Sequence, residues 1–152
     1  MTLKPGDTAV LATEKAQRLL QSTIPARVSY TATDDTPRVV PIWFHWNGSA
    51  VVLGSSPGSP KLSALERRPA VAVTIDTNEW PYMALMLRGE ARVEMVEGVV
   101  PEYKESASRY FGEEQGRAWI ETISPGYPRM ARVEITPTWA WLLDYGENAS
   151  PR

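Results

Sequence analysis

The chain has 152 residues, with 16 Lys and Arg against 18 Asp and Glu, one histidine and no cysteine. That length suits one domain with a sizeable core, and a net charge of -2 leaves no electrostatic footprint for nucleic acid or an anionic membrane surface. Disulfide and thiol chemistry are excluded, and a zinc or iron site would need an uncommon, carboxylate-rich ligand set around His45.

The N-terminus has no basic-then-apolar signal, and no apolar run reaches the roughly 20 residues a membrane span needs. The expectation is a soluble cytoplasmic protein. Asp7 or Thr8 caps a first helix, with Ala12, Ala16, Leu19 and Leu20 at helical spacing, which ends near Ser22 before Pro25. A strand follows over Ala26–Thr33, then the turn cluster Asp34-Asp35-Thr36-Pro37. Arg38–Trp46 reads as one long strand, with Arg38, Val40, Ile42, Phe44 and Trp46 on one face and Val39, Pro41, Trp43 and His45 on the other. Two largely apolar faces mean a strand covered on both sides, by protein or by a flat aromatic ligand. Pro41 cannot donate to a ladder, so it marks either a sheet edge or a side that faces something other than a strand. Asn47-Gly48 predicts a two-residue type I′ hairpin turn, returning through Ala50–Ser55.

The loop Gly54-Ser55-Ser56-Pro57-Gly58-Ser59-Pro60-Lys61 leads into a helix from Pro60 to about Arg68. Ser59 is its N-cap, and Pro60 takes the first helical position, where a missing N–H costs nothing. Lys61 in a first turn opposes the helix dipole. It is explained either by a bound anion, since small hydroxyl residues and a helix N-terminus surround it, or by solvation on a surface linker. Ala70–Thr77 is a strand, and Tyr82–Val96 a long one bent at Gly89. Trp80, between them, is a surface cover or a ring-stacking residue. Tyr103, Ala107, Tyr110 and Phe111 mark a helix ending at Gly112, and Trp119, Ile120 and Ile123 line the inner side of a second, over Glu113–Ile123. Arg129–Ile135 and Thr138–Asp144 are two closing strands around Pro137, and 146–152 a loose tail. The glycosylation-like triplets at Asn47 and Asn148 are chance matches on this reading. The sum is mainly β with helices: six or seven mostly antiparallel strands in a small barrel, with an N-terminal helix and a helical insertion.

Three runs taken together carry a resemblance: Arg38-Val39-Val40-Pro41-Ile42-Trp43, Gly58-Ser59-Pro60-Lys61 and Arg88-Gly89-Glu90-Ala91. In order and spacing the chain resembles the pyridoxamine 5′-phosphate oxidase-like split β-barrel proteins, which include FMN- and deazaflavin F420-dependent oxidoreductases. The resemblance implies a homodimer with FMN, or alternatively F420, in a groove between subunits. It places Arg38, Val39, Val40, Pro41, Ile42 and Trp43 beside the ring and ribityl chain, and Gly54, Ser55 and Ser56 at the chain end. Ser59 and Lys61 take the phosphate, and Trp80 and Arg129 belong to the wall facing the partner. Three positions depart from the oxidases proper. Pro60 replaces an arginine, Trp43 a lysine and Ala84 a glutamine, while Trp139–Asp144 lacks the Arg-x-His pair that binds the vitamin. Pyridoxamine phosphate oxidation is therefore not expected.

The activity implied is hydride transfer to or from a small organic substrate, for which no protein acid or base is obligatory. His45 is either a packed histidine or a general base. No nucleophile-elbow pattern surrounds any serine. A non-catalytic flavin or haem storage protein is the alternative of a different class.

Overall fold

The computed structural model describes residues 2–147. The expected tail and the Asn148 triplet lie outside them from 148 onward. The strands are β1 (Ala26–Thr31), β2 (Pro37–Ile42), β3 (His45–Trp46), β4 (Val51–Ser55), β5 (Ala70–Asp76), β6 (Met83–Glu97) and β7 (Arg129–Asp144). The α-helices are α1 (Glu14–Leu20), α2 (Pro60–Arg67), α3 (Pro101–Phe111) and α4 (Glu113–Ile123). Among the described residues no helix is long and apolar enough to cross a membrane.

All strand pairs are antiparallel, and the order is β2-β1-β5-β6-β7-β4-β3. The two end strands of this order are consecutive in the chain, with only Trp43 and Phe44 between them. Laid flat, seven strands would set the two edges about 29 Å apart, whereas three peptide links span at most roughly 11 Å. The sheet must therefore roll up. The segment predicted as one strand, Arg38–Trp46, is in fact two, each half pairing with a different neighbour: β2 with β1, β3 with β4. Alternation passes through Trp43-Phe44 unbroken, which is why the sequence pattern hides the change of partner. As the end strand, β2 carries Pro41 without loss of a ladder bond on its open side.

One cross-strand row, Val40–Val28–Val73–Leu87–Ala140, shows how the barrel fills. Its last four members are almost wholly buried. Phe44, on the same inward phase, is also fully buried, and α2 contributes Leu62 and Leu65 to this core. A second cluster, Val52, Val99, Val100 and Met130, lies outside the barrel wall, where Tyr103, Ile120, Ile123 and Tyr127 pack on it.

Several local expectations change. The first helix is a 3-10 turn, Thr8–Ala12, capped by Asp7, followed after Thr13 by α1 with Thr13 as its own cap. The Asn47-Gly48 turn is not type I′, because Asn47 is absent from the positive-φ residues among those described while Gly48 has φ 99°. Instead the Asn47 side-chain oxygen accepts from the backbone N–H groups of Ser49 and Ala50, at 3.0 and 2.8 Å, and closes a four-residue loop. Arg129–Asp144 is one bent strand rather than two. Pro137 faces Gly89 at the register shift, so the predicted bend in β6 and the proline in β7 are a single feature. Trp119, expected inward, is 38% exposed, and Phe111 is 43% exposed.

Candidate functional site

The residues singled out from the sequence separate into three places. Val39 and Pro41 point away from the core, and Val39 is 65% exposed. Val40 and Ile42 point the other way and pack on the core. Arg38, at the start of β2, is exposed and pairs with Asp34 at 3.1 Å. The Asp34 carboxyl titrates at about 2, held down chiefly by Thr36, whose hydroxyl and backbone N–H both donate to it, and then by Arg38.

Trp43 and Gly54 face the helical layer. The Trp43 ring stacks on Tyr110, with Phe111 edge-on at 4.8 Å and Tyr103 tilted at 5.8 Å. A side chain at Gly54 would come within 2.9 Å of Tyr103, so glycine is what lets α3 lie against β4. The end of this layer grips the corner between β2 and β3, because Arg109 donates to the carbonyl of Phe44 and, at 2.9 Å, to that of Ser22. Tyr110 donates to the carbonyl of Ile24 at 3.0 Å. Arg109 lies far along the chain from its partners, so no sequence pattern marked it. Burial, and then the Arg109 cation, hold the His45 imidazole below its usual value, so it is neutral at pH 7.

At the start of α2, Ser59 is the N-cap residue and Pro60 the first helical one, as predicted, but the Ser59 hydroxyl makes no capping bond. It accepts instead from Lys61 Nζ at 3.2 Å. Lys61 is half-buried, burial lowers its ammonium below the ordinary lysine range, and among the described residues no carboxylate pairs with it. Ser55 is buried, Ser56 is exposed and bonded to the Tyr127 hydroxyl at 2.9 Å, and Arg129 is exposed at the first position of β7.

A fourth place, the outer face of the barrel, went unread in the sequence. Val39 heads the cross-strand row Val39–Ser29–Ala72–Arg88–Trp139, and Pro41 heads Pro41–Arg27–Thr74–Met86–Trp141. Both rows lie on the outer face of the barrel wall. Their far ends line a groove of about 900 Å³ that also takes in Leu143 and Tyr145. Trp80 is 67% exposed and clusters with Tyr82 and Tyr145 at 5.4 and 6.4 Å, at the end of the groove that Tyr145 lines. The alternation Trp139-x-Trp141-x-Leu143 was the available signal for this face. Among the described residues no group of His, Cys, Asp or Glu is placed to hold a metal ion.

The family profile described as pyridoxamine 5′-phosphate oxidase matches residues 12–144. The chain belongs to the pyridoxamine 5′-phosphate oxidase family. No curated protein sequence matches it. Among solved structures, this family member is similar to the conserved hypothetical protein Rv2991 of Mycobacterium tuberculosis, at 17% identity and a TM-score of 0.71, over 98% of this chain and 95% of that one. It is also similar to an F420 reductase, at 20% identity and TM-score 0.62, over 87% and 98%. The haem storage protein HutZ of Vibrio cholerae matches at 16% identity and TM-score 0.59, over 86% and 92%. Identities this low establish a shared fold, and a fold that hosts both a reductase and a storage protein leaves activity to be argued from the site.

Proposed function

We propose that this member of the family binds a phosphorylated flavin-type cofactor, FMN in the first reading and F420 in the second, and serves as an oxidoreductase for a small organic substrate. The observation that carries the proposal is Lys61, a desolvated cation with no carboxylate partner among the described residues, beside the N-terminus of α2 and bonded only to the neutral hydroxyl of Ser59, which makes no capping bond. Burying an unpaired ammonium costs stability, and a bound phosphate would relieve that cost by a charge-assisted hydrogen bond and by the helix dipole.

Ser59 and Lys61 would hold the phosphate, with Ser55, Ser56 and Gly54 lining the loop that leads to it. Arg38 adds a cation at the start of β2. Val39 and Pro41 would present an apolar strip to the ring system, while Val40 and Ile42 support that strip from inside. Trp80, and Arg129 by resemblance, would contribute to the far wall. The cofactor supplies hydride chemistry when bound, and the protein supplies position and electrostatics. A second copy of the chain seated on the outer face would close the groove and make the cofactor site an interface. The similarity to an F420 reductase keeps F420 as the second reading. Pro60, Trp43 and Ala84, together with the apolar Trp139–Leu143 stretch, argue against pyridoxamine phosphate as substrate.

The test is parallel titration of the purified protein with FMN and F420, followed by fluorescence quenching, in wild type and Lys61→Ala. A phosphate contact worth about 1.5–3 kcal/mol predicts a loss of affinity of about tenfold or more in the variant. Equal affinity would remove Lys61 from the site. Uptake without any reduction of the bound cofactor would favour storage.

A further inference from the structure

We propose that Tyr127 is a positioning residue for the cofactor phosphate, holding the turn that carries Ser59 through a hydrogen bond to Ser56. This assignment rests on the reading of Ser59 and Lys61 as the phosphate grip. The link between β4 and α2 is a four-residue turn, Ser56-Pro57-Gly58-Ser59, closed by the Ser59 N–H, which donates to the Ser56 carbonyl at 3.0 Å. The turn stands clear of its surroundings. A Cβ on Gly58 would have nothing within 4 Å, and a glycine at that position leaves the backbone many conformations to lose. Among the described residues, Ser56 has the only side chain in the turn that bonds beyond α2, and its partner is the Tyr127 hydroxyl at 2.9 Å.

The other end of this tether is fixed. Tyr127 follows the 3-10 turn Ser124–Gly126, and its N–H donates to the Ser124 carbonyl at 3.0 Å. Pro125 and Pro128 restrict the backbone on both sides of it. The Pro128 carbonyl accepts from the Gly98 N–H at 2.8 Å, and Tyr127 packs on the cluster of Val52, Val99, Val100 and Met130. From there the path to the cation is short. It runs from the Tyr127 hydroxyl to that of Ser56, from the Ser56 carbonyl to the Ser59 N–H, and from the Ser59 hydroxyl to Lys61 Nζ at 3.2 Å. A loop ordered before its ligand arrives avoids the entropy loss of ordering on binding. Because the turn serves the phosphate end of the proposed site, the effect of Tyr127 is confined to phosphate-bearing ligands.

The test is fluorescence titration of the purified protein with FMN and with riboflavin, which has the same ring and ribityl chain but no phosphate. Wild type should prefer FMN. Tyr127→Phe keeps the ring and its packing, and should reduce that preference about three- to tenfold, as expected for one hydrogen bond. Riboflavin affinity and melting temperature should not change. On a Ser56→Ala background Tyr127→Phe should have no further effect, since Tyr127 acts through that hydroxyl. A preference that survives Tyr127→Phe but falls with Lys61→Ala would overturn the role of Tyr127 and leave the phosphate site standing. A preference absent from the wild type, or unmoved by Lys61→Ala, would remove the site itself and the tether with it. Equal losses for FMN and riboflavin in Tyr127→Phe would make Tyr127 a support of the fold and overturn the proposal as well.

Discussion

The indole of Trp43 lies flat against the ring of Tyr110, with centroids 4.9 Å apart and planes 5° from parallel. Beside it, the Arg109 guanidinium holds the carbonyl of Phe44. Helix α3 thus fixes the one point where the chain leaves β2 and enters β3, and with it the end of the strand that presents Val39 and Pro41. Stacked aromatic pairs are worth about 0.5–1.5 kcal/mol beyond their buried area. Trp43→Ala should therefore cost about 3 kcal/mol in urea unfolding, at the lower end for a large aromatic truncation because the ring is half-buried. Val39→Ala, on the exposed neighbour, should cost less than about 0.5 kcal/mol. Similar losses at the two positions would mean that α3 does not anchor the corner.

Gly89→Ala should be among the most damaging single-methyl additions in the protein. A Cβ there would sit 2.2 Å from the Thr136 carbonyl oxygen and 3.3 Å from the Pro137 Cα, both backbone atoms that cannot swing aside. The cost should reach about 3 kcal/mol, the upper part of the range for overpacking. Gly58→Ala, where nothing lies within 4 Å, provides the comparison and should be nearly neutral. Denaturation midpoints for the two variants decide it, and equal midpoints would contradict the tight bulge opposite Pro137.

Local physics read well where it is local. Period-two alternation put Val40, Ile42, Phe44 and Trp46 on one face, and all four pack in the core. Ser59 and Pro60 start α2 as their types dictate, and Gly89 marks the bend. What the pattern could not carry was choice of partner. The phase runs unbroken through Trp43-Phe44, yet the pairing changes there, because pairing depends on residues far away in sequence. For the same reason Trp43 could be placed on the face opposite Val40 and Ile42 but not assigned to α3. The groove was half legible, in the alternating tryptophans of β7. The other half, the small outward residues Ala72 and Thr74 of β5, reads as nothing until the register sets them beside Arg88 and Met86.

Acid should release the clamp between α3 and β7. Arg132 Nε donates to both Glu102 oxygens, at 3.0 and 3.1 Å, and Nη1 donates to Glu134 at 2.9 Å. These side chains are only 17–27% exposed. Hydrogen bonding from Arg132 is the main reason the Glu102 carboxyl lies below its ordinary range. The folded state therefore binds fewer protons than the unfolded one across that interval. The pair's stabilisation is complete above the unfolded carboxylate value and is lost as pH falls through the lowered one. Arg132→Met should destabilise by about 2–3 kcal/mol at pH 7, below the full cost for a wholly buried pair. The deficit should shrink at pH 3. A deficit that is the same at both pH values would mean that packing, not charge, is what Arg132 supplies.

Lys61 offers the sharpest separation of stability from binding. Burial lowers its ammonium below the ordinary lysine range, so in that interval the folded state holds fewer protons than the unfolded one and stability rises with pH. Below the interval the charged side chain is a liability to the fold, because no carboxylate among the described residues offsets its desolvation. Lys61→Met keeps the length and the apolar stem while removing the charge. Its melting temperature at pH 7 should equal or exceed that of the wild type. A residue kept for a ligand should show the opposite trend when the ligand is present. Inorganic phosphate at concentrations well above its dissociation constant should raise the wild-type melting temperature through mass action. It should leave Lys61→Met unmoved, and the wild-type increment should fade as pH rises into the interval where Lys61 loses its proton. A variant that melts well below the wild type, together with a wild type indifferent to phosphate, would make Lys61 a structural lysine at the head of α2 and leave the anion site without its cation.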